Sequence, residues 1–394
     1  MIGRWIGGAL LAAGLAAGAA EAETFPNPLP VENAGTVTRL STPYPDNWVF
    51  LDYLASPGLI DSKAELVNPD ARYAKQVIGQ FSASYYANIL VSTARPEVYV
   101  AETYYSRGTR GTRTDVITLY DKETLSPQDE IVLPGAKRWV GVVQPNAFQF
   151  ADHETLGLVY NFTPRSTVTV VNLVTRQVLN EVPLPGCAMI YPTGPRGFSS
   201  MCGNGTMLSV QLDKTGAVAA QNETTAFNDL NDDPLFAAPG VIGGVSYFVS
   251  YKGKVQPVDL SGVAPSLLPT WSLVTDDEAK ANWRPSGNQQ IAGQTVGGSG
   301  WLYVLMQPNG KDGSHLEGGN QVWVFDVASH AKLATIMLKG QAQCIAVSGG
   351  EHPRLMATTL GASLQVYDAI SGAPIASMPI ASTGAETLIY PARP

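Results

Sequence analysis

Seven stretches of the chain share one pattern of apolar and polar positions. A short run of alternating apolar residues leads into Asp or Asn, a turn follows, and a second alternating run returns. The stretches are AELVNPDARYAKQVIGQF, VITLYDKETLSPQDEIVL, VTVVNLVTRQVLNEVPL, LSVQLDKTGAVAAQNET, VQPVDLSGVAPSLLPTWSL, VWVFDVASHAKLATIML and LQVYDAISGAPIASMPI. Their polar anchors are Asn68, Asp121, Asn172, Asp213, Asp259, Asp326 and Asp368, at successive spacings of 53, 51, 41, 46, 67 and 42 residues. Each unit predicts a β-hairpin whose anchor side chain bonds the backbone of its own turn. The intervals leave room for two further strands, as in FQFADHETLGLVYNF and GWLYVLMQP. Four strands in about 40–50 residues is the period of a propeller blade. One blade cannot bury both faces alone, whereas blades packed around an axis can. The expected fold is therefore all-β: a seven-bladed β-propeller of four-stranded antiparallel blades, one blade per anchor. An irregular β-sandwich would need seven coincidental matches. The 67-residue interval contains TDDEAKANW, in which Thr275 can cap a helix whose first turn holds Asp276, Asp277 and Glu278. A short helical insertion near 275–283 is expected to project from the propeller face, where insertions build binding surfaces.

The N-terminal pattern differs from the rest. Arg4 precedes an apolar run from Trp5 to Ala20, and Ala20-Glu21-Ala22 forms a small-x-small cleavage site. The expected organisation is a signal peptide over residues 1–22 and a single propeller domain over 23–394, exported to the periplasm. The run is too short and glycine-rich for a comfortable spanning helix, so no membrane insertion is expected. Loss of Arg4 and Glu21 leaves the net charge at -8. That acidity argues against nucleic acid or anionic lipid as partners and suits a basic one. With 15% charged residues, 39 glycines and 28 prolines, the composition favours many short strands over surface helices. Of three cysteines, Cys187 and Cys202 bracket a proline- and glycine-turned hairpin that could bring them within bridging distance. Cys344 lies in an apolar strand and reads as a buried thiol. Other pairings stay open on sequence grounds.

A self-sufficient catalytic centre is not visible. His153, His315, His330 and His352 show no metal-ligand spacing, and there is no nucleophile elbow, phosphate-cradling glycine loop or haem-attachment motif. Asp229 to Pro234 superficially resembles a calcium loop, but Pro234 stands where glycine is needed and no Glu closes it. No metal and no catalytic residue are expected on this chain. The densest unusual segment is ETYYSRGTRGTRTDV, with Tyr104 and Tyr105 followed by Arg107, Arg110 and Arg113 at three-residue intervals. It reads either as a loop whose arginines tie blades together or as an interface or anion site, since the planar guanidinium fork suits both. Tyr85 and Tyr86 fall in a turn region between hairpins, as a packed corner or the lining of a pocket mouth. Trp283 and Arg284, after the helical insertion, pose the same choice.

At these residues a family resemblance emerges. YYSRGTRGTRTDVITLYD, CAMIYPTGPRGFSSMCGNG and DDEAKANWRPSGNQQIAG resemble segments of the heavy subunits of methylamine and aromatic amine dehydrogenases. FNDLNDDPLFAAP, YFVSYKGKVQPVDLSG and MQPNGKDGSHLEGGNQVWVFD look closest to the aromatic amine type. The resemblance implies a heavy propeller subunit in a two-heavy, two-light tetramer. It implies that the light subunit carries tryptophan tryptophylquinone and the catalytic aspartate, and that electrons from a primary amine pass to an amicyanin- or azurin-like cupredoxin or a cytochrome. The heavy chain would dock the light one and wall the substrate channel, with a channel aromatic at Tyr85 or the neighbouring Tyr86. The family's disulfide maps onto Cys187 and Cys202. Three departures stand out: tyrosine where the channel aromatic is phenylalanine, Trp283-Arg284-Pro285-Ser286-Gly287 where the family has W-x-P-G-G, and the residues around Gly293 and Gln294 where the family has an aromatic or leucine followed by histidine. The competing reading is a non-catalytic periplasmic propeller that binds a protein or a small ligand. A propeller hydrolase or lyase would need a histidine and carboxylate constellation that this sequence does not offer.

Overall fold

The computed structural model describes residues 39–393 apart from 54–59, 61, 73–74, 142 and 381–386. The expected signal peptide lies outside the described residues. Among the described residues every strand pair is antiparallel, and one isolated parallel bridge joins Gln289 to Cys344. The first sheet joins both ends of the described chain, in the order Thr387–Pro391, Val49–Tyr53, Lys63–Val67, Val77–Ser82. The second runs Asn88–Val91, Glu97–Arg107, Arg110–Asp121, Pro127–Leu133, and the third Phe148–Ala151, Leu156–Asn161, Thr167–Asn172, Gln177–Pro183. The fourth runs Cys187–Pro192, Gly197–Cys202, Met207–Leu212, Val218–Glu223. The fifth has Gly240–Ile242, Val245–Val249 and Lys254–Asp259, with Ser266–Leu267 and Trp271–Ser272 both on the last.

The sixth sheet overturns the expectation of seven separate blades. It has eight strands, so the propeller consists of five separate blades and one eight-stranded sheet. Lys332–Val347 is a single 16-residue strand that pairs with Gly319–Asp326 along its first part and with Arg354–Thr359 along its second. Elsewhere among the described residues the segment linking one repeat to the next is a turn or loop. Here MLKGQAQCIAV stays extended throughout, and the hairpins anchored by Asp326 and Asp368 share its strand. Gly340, at φ 98°, and a register shift between Ala342 and Cys344 interrupt the regular ladder, and the two halves of the sheet pack face to face through Tyr303, Val322 and Val324 against Ile345, Leu355 and Ala357. Counting anchors counts hairpins, and hairpins can share a sheet.

All seven anchors do what their chemistry predicts: each accepts a backbone N–H from its own turn, as Asn172 does from Val174 and Thr175 and Asp368 from Ile370 and Ser371. Hydroxyl bonds from Thr215 and Ser261, followed by the backbone bonds, hold the Asp213 and Asp259 carboxyls below their ordinary range, and the backbone bonds from Ser329 and Ser371, followed by their hydroxyls, do the same for Asp326 and Asp368. Strand alternation then builds the core. In the second sheet Val98 and Val100 face the first sheet beside Phe50 and Phe81, while Tyr99 and Ala101 face the third beside Phe148 and Val159. Each fully buried side chain of this size contributes about 1.5–3 kcal/mol. Similar clusters join the remaining neighbours and close the ring between Met356 and Val366 of the sixth sheet and Val49 and Leu388 of the first. The helix is Asp276–Lys280, capped by Thr275 and Glu278 in a reciprocal pair. No helix among the described residues is long and apolar enough to cross a membrane.

Candidate functional site

Because the strands alternate in direction, the described links from one sheet to the next emerge on the same face as the turn between the second and third strands. That face carries residues 83–87, the turn at Gly108 and Thr109, residues 203–206 beside the disulfide, and residues 250–253, 273–290 and 308–318. Nearly all the sequence candidates converge there.

The arginine segment is not a loop. Glu97–Arg107 and Arg110–Asp121 form a hairpin of 11- and 12-residue strands, paired out to Arg107 and Arg110. Arg107 and Arg110 are exposed at its tip, and Tyr104 is also exposed. Arg113 lies inward with Asp115 two residues on, hence on the same side of the strand. Its Nε and Nη2 bond Asp115 Oδ1 and Oδ2 at 2.8 and 3.0 Å, a bidentate pair. The three arginines therefore play two roles.

Tyr85 and Tyr86 occupy the link between the first and second sheets, and both are left-handed, at φ 47° and 50°. A left-handed conformation costs a side-chain-bearing residue about 1–2 kcal/mol, so surrounding bonds must hold the pair. Before the turn, Ser84 donates its N–H to Glu102 Oε2 at 2.9 Å and its hydroxyl to the Thr103 carbonyl at 2.9 Å. Beyond it, the carbonyls of Tyr85 and Tyr86 accept from Arg138 Nη2 and Nη1 at 2.6 and 2.9 Å. The Tyr85 ring lies 5.1 Å from that of Tyr105, and its hydroxyl donates to the Gly108 carbonyl at 3.4 Å. The turn thus leans against the long hairpin, and both tyrosines remain half-buried at the surface.

Beneath the tyrosines lies a buried polar group that sequence reasoning missed. Arg138, Glu102, Asp115, Thr103 and Asp52 are all buried. Burial lowers the Arg138 guanidinium to about 10, which leaves it charged at neutral pH. Burial also raises the Glu102 carboxyl against its bonds from Ser84 and Thr118. Neither carboxyl oxygen of Asp52 has a hydrogen-bond partner among the described residues. Burial first, and Glu102 second, push this carboxyl well above its ordinary range, with Arg138 opposing. The available signal was a charged residue inside an apolar strand, as in VAET and TDVI; Arg138 gave none.

Trp283 and Arg284 belong to a separate cluster. The Trp283 ring sits 5.0 Å from Trp323, over which Lys332 Nζ lies at 3.7 Å. Arg284 borders a cavity of about 330 Å³ with Lys252, Lys311, His315 and Tyr251 and with the carboxylates of Asp232 and Asp312, the latter 3.7 Å from Arg284, and the Tyr251 and His315 rings stack at 4.4 Å. Cys187 and Cys202 stand opposite each other in register and are disulfide-bonded, while Cys344 is fully buried outside that bridge. Among the described residues, no group of three or more His, Cys, Asp or Glu is placed to hold a metal ion.

A family model described as methylamine dehydrogenase heavy chain matches residues 53–388. The chain is 28% identical over 329 residues to the methylamine dehydrogenase heavy chain of Methylophilus methylotrophus, covering 83% of this chain and 80% of that one. It is 26% identical over 306 residues to the corresponding heavy chain of Methylorubrum extorquens, covering 77% and 73%. Among solved structures it resembles dihydro-heme d1 dehydrogenase NirN in complex with DHE, with a TM-score of 0.54 and 14% identity over 92% of this chain and 79% of that one. That likeness concerns the fold alone.

Proposed function

The chain belongs to the methylamine dehydrogenase heavy-chain family, and from this we propose that it is the large, cofactor-free subunit of a periplasmic amine dehydrogenase. The observation that carries the reading is the family match across almost the whole described propeller. In the proposed assembly, two heavy and two light subunits form a tetramer after removal of residues 1–22. The light subunit's tryptophan tryptophylquinone supplies the electron sink. A primary amine and water yield aldehyde, ammonia, two protons and two electrons, and the electrons leave through a cupredoxin or a cytochrome. This chain's residues perform no covalent step. Tyr85 and Tyr86 wall the path to the partner's centre and select amines by shape, while the long hairpin with Tyr104, Tyr105, Arg107 and Arg110 offers a docking edge on the same face. The acidic chain attracts a cationic amine and a basic partner. The relatives named above are methylamine enzymes, and the aromatic amine subtype rests on sequence likeness only.

The test is mild purification of the chain from its native periplasm, followed by a redox-cycling quinone stain and visible absorption. A small quinone-positive companion whose spectrum bleaches with a primary amine supports the dehydrogenase. A colourless chain, recovered alone and inert to amines, refutes it. The mixed-charge cavity lined by Asp232, Lys252, Arg284, Lys311 and Asp312 favours one second reading, a propeller that binds a small polar ligand. Uptake of such a ligand by the lone chain would favour it.

A further inference from the structure

We propose that Arg138 is the positioning residue that sets the Tyr85–Tyr86 turn and, through it, the shape of the substrate path. The inference rests on the channel role proposed above for these tyrosines. A buried cation usually sits against a carboxylate, yet among the described residues Arg138 forms no ion pair. The nearby Asp115 carboxylate is taken by Arg113. The Arg138 guanidinium bonds only neutral acceptors: the Tyr85 carbonyl at 2.6 Å, the Tyr86 carbonyl at 2.9 Å, and Thr103 Oγ1 from Nε and Nη2 at 3.1 and 2.8 Å. Its planar fork therefore points two nitrogens at two consecutive carbonyls that the left-handed backbone turns inward.

The fork itself is fixed from the opposite side. Thr103 Oγ1 donates to Asp115 Oδ1 at 2.7 Å, the Arg138 N–H donates to Asp115 Oδ2 at 2.8 Å, and Arg113 Nη2 donates to the Arg138 carbonyl at 2.6 Å. Backbone and side chain of Arg138 are both tethered to the base of the long hairpin. The Tyr85 ring leans on Tyr105 of that same hairpin. One rigid unit thus holds the turn from below and from the side. Lysine keeps the charge but offers one nitrogen on a flexible stem, which cannot serve two carbonyls and a hydroxyl in one plane.

The experiment uses the assembled heavy–light enzyme with the Tyr85→Ala/Tyr86→Ala pair, with Arg138→Lys, and with all three substitutions together, each assayed on a short alkylamine, a longer alkylamine and an arylalkylamine. Arg138→Lys is expected to shift the bulky-to-short ratio of kcat/KM by roughly tenfold, the scale of a misfitted side-chain pocket, mainly through KM. Added to the Tyr85→Ala/Tyr86→Ala pair it should change the ratio no further, because it acts through the two residues of that turn. If the tyrosine pair shifts the ratio and Arg138→Lys does not, or if the effects of the pair and of Arg138→Lys multiply independently, the positioning role is overturned. If the tyrosine pair itself leaves the ratio unchanged, the channel reading fails and this inference falls with it. Should Arg138→Lys fail to assemble, Thr103→Val takes its place. It removes one acceptor of the fork and should shift the ratio in the same direction by a smaller factor; no shift would overturn the proposal.

Discussion

Replacing both Cys187 and Cys202 by alanine removes the disulfide without introducing buried hydroxyls. The two residues are directly opposite in the hairpin register, so pairing of the strands holds them in place in the folded state with or without the bond. The bond acts on the unfolded chain, where it closes a loop of sequence separation 15. For that length the chain-entropy model gives about 3 kcal/mol. Unfolding entropy of about 2.1 cal/mol/K per residue, over a unit from Arg39 to Pro394, amounts to roughly 0.75 kcal/mol/K. The double variant should therefore melt about 4 °C below the parent. The assay is calorimetry of parent and variant under oxidising conditions, with thiol labelling of each before and after unfolding. Cys344, fully buried, should label only on unfolding. A melting point unchanged within about 1 °C, or labelling of Cys344 in the folded variant, would refute the reasoning.

Three further outcomes follow from single residues. Asp52 has a folded pKa raised above its unfolded value, so the stability it contributes is fully present below the unfolded carboxyl pKa and is lost as pH rises through the folded one. Asp52→Asn stays neutral throughout, so its melting temperature should match the parent near pH 4 and equal or exceed it at pH 8; a deficit confined to pH 8 would contradict the burial argument. Thr275→Ala removes the helix cap at Glu278 N, worth about 1 kcal/mol; hydrogen exchange should quicken at residues 276–280 while the global melting point barely moves. Gly340→Ala meets no atom within 4 Å but must hold φ 98°, so it should destabilise by about 1–2 kcal/mol through backbone strain alone, read by denaturant titration.

What the sequence made legible was local chemistry. An Asp or Asn that bonds its own turn acts within three or four residues, so all seven anchors could be read from the chain. Whether successive hairpins form separate sheets depends on the segment between them. In MLKGQAQCIAV nothing but Gly340 marks the bend, and the long strand fuses what the repeat count divides. The arginine triplet shows the same limit. Spacing groups Arg107, Arg110 and Arg113 together, whereas strand parity and the position of the hairpin tip separate them. Asp115, two residues from Arg113, was the available clue. Arg138 and the carbonyls it holds lie 53 and 52 residues apart in the chain, and no local pattern encodes that contact.

The arrangement separates most of the fold's stability from its selectivity. The ring is held by apolar clusters between sheets, supplied by alternate strand residues that never reach the surface of either face. The connecting segments on the Tyr85 face can accordingly diverge without dismantling the ring. Arg138 is where that separation breaks down. It is buried among strand residues like a core position, yet its hydrogen bonds are made to a surface turn. A substitution there changes the core and the mouth of the proposed channel together, so its effect on selectivity can be recognised only against the Tyr85→Ala/Tyr86→Ala pair. An effect that vanishes in that background has travelled through the turn, whereas one that persists has come from the core.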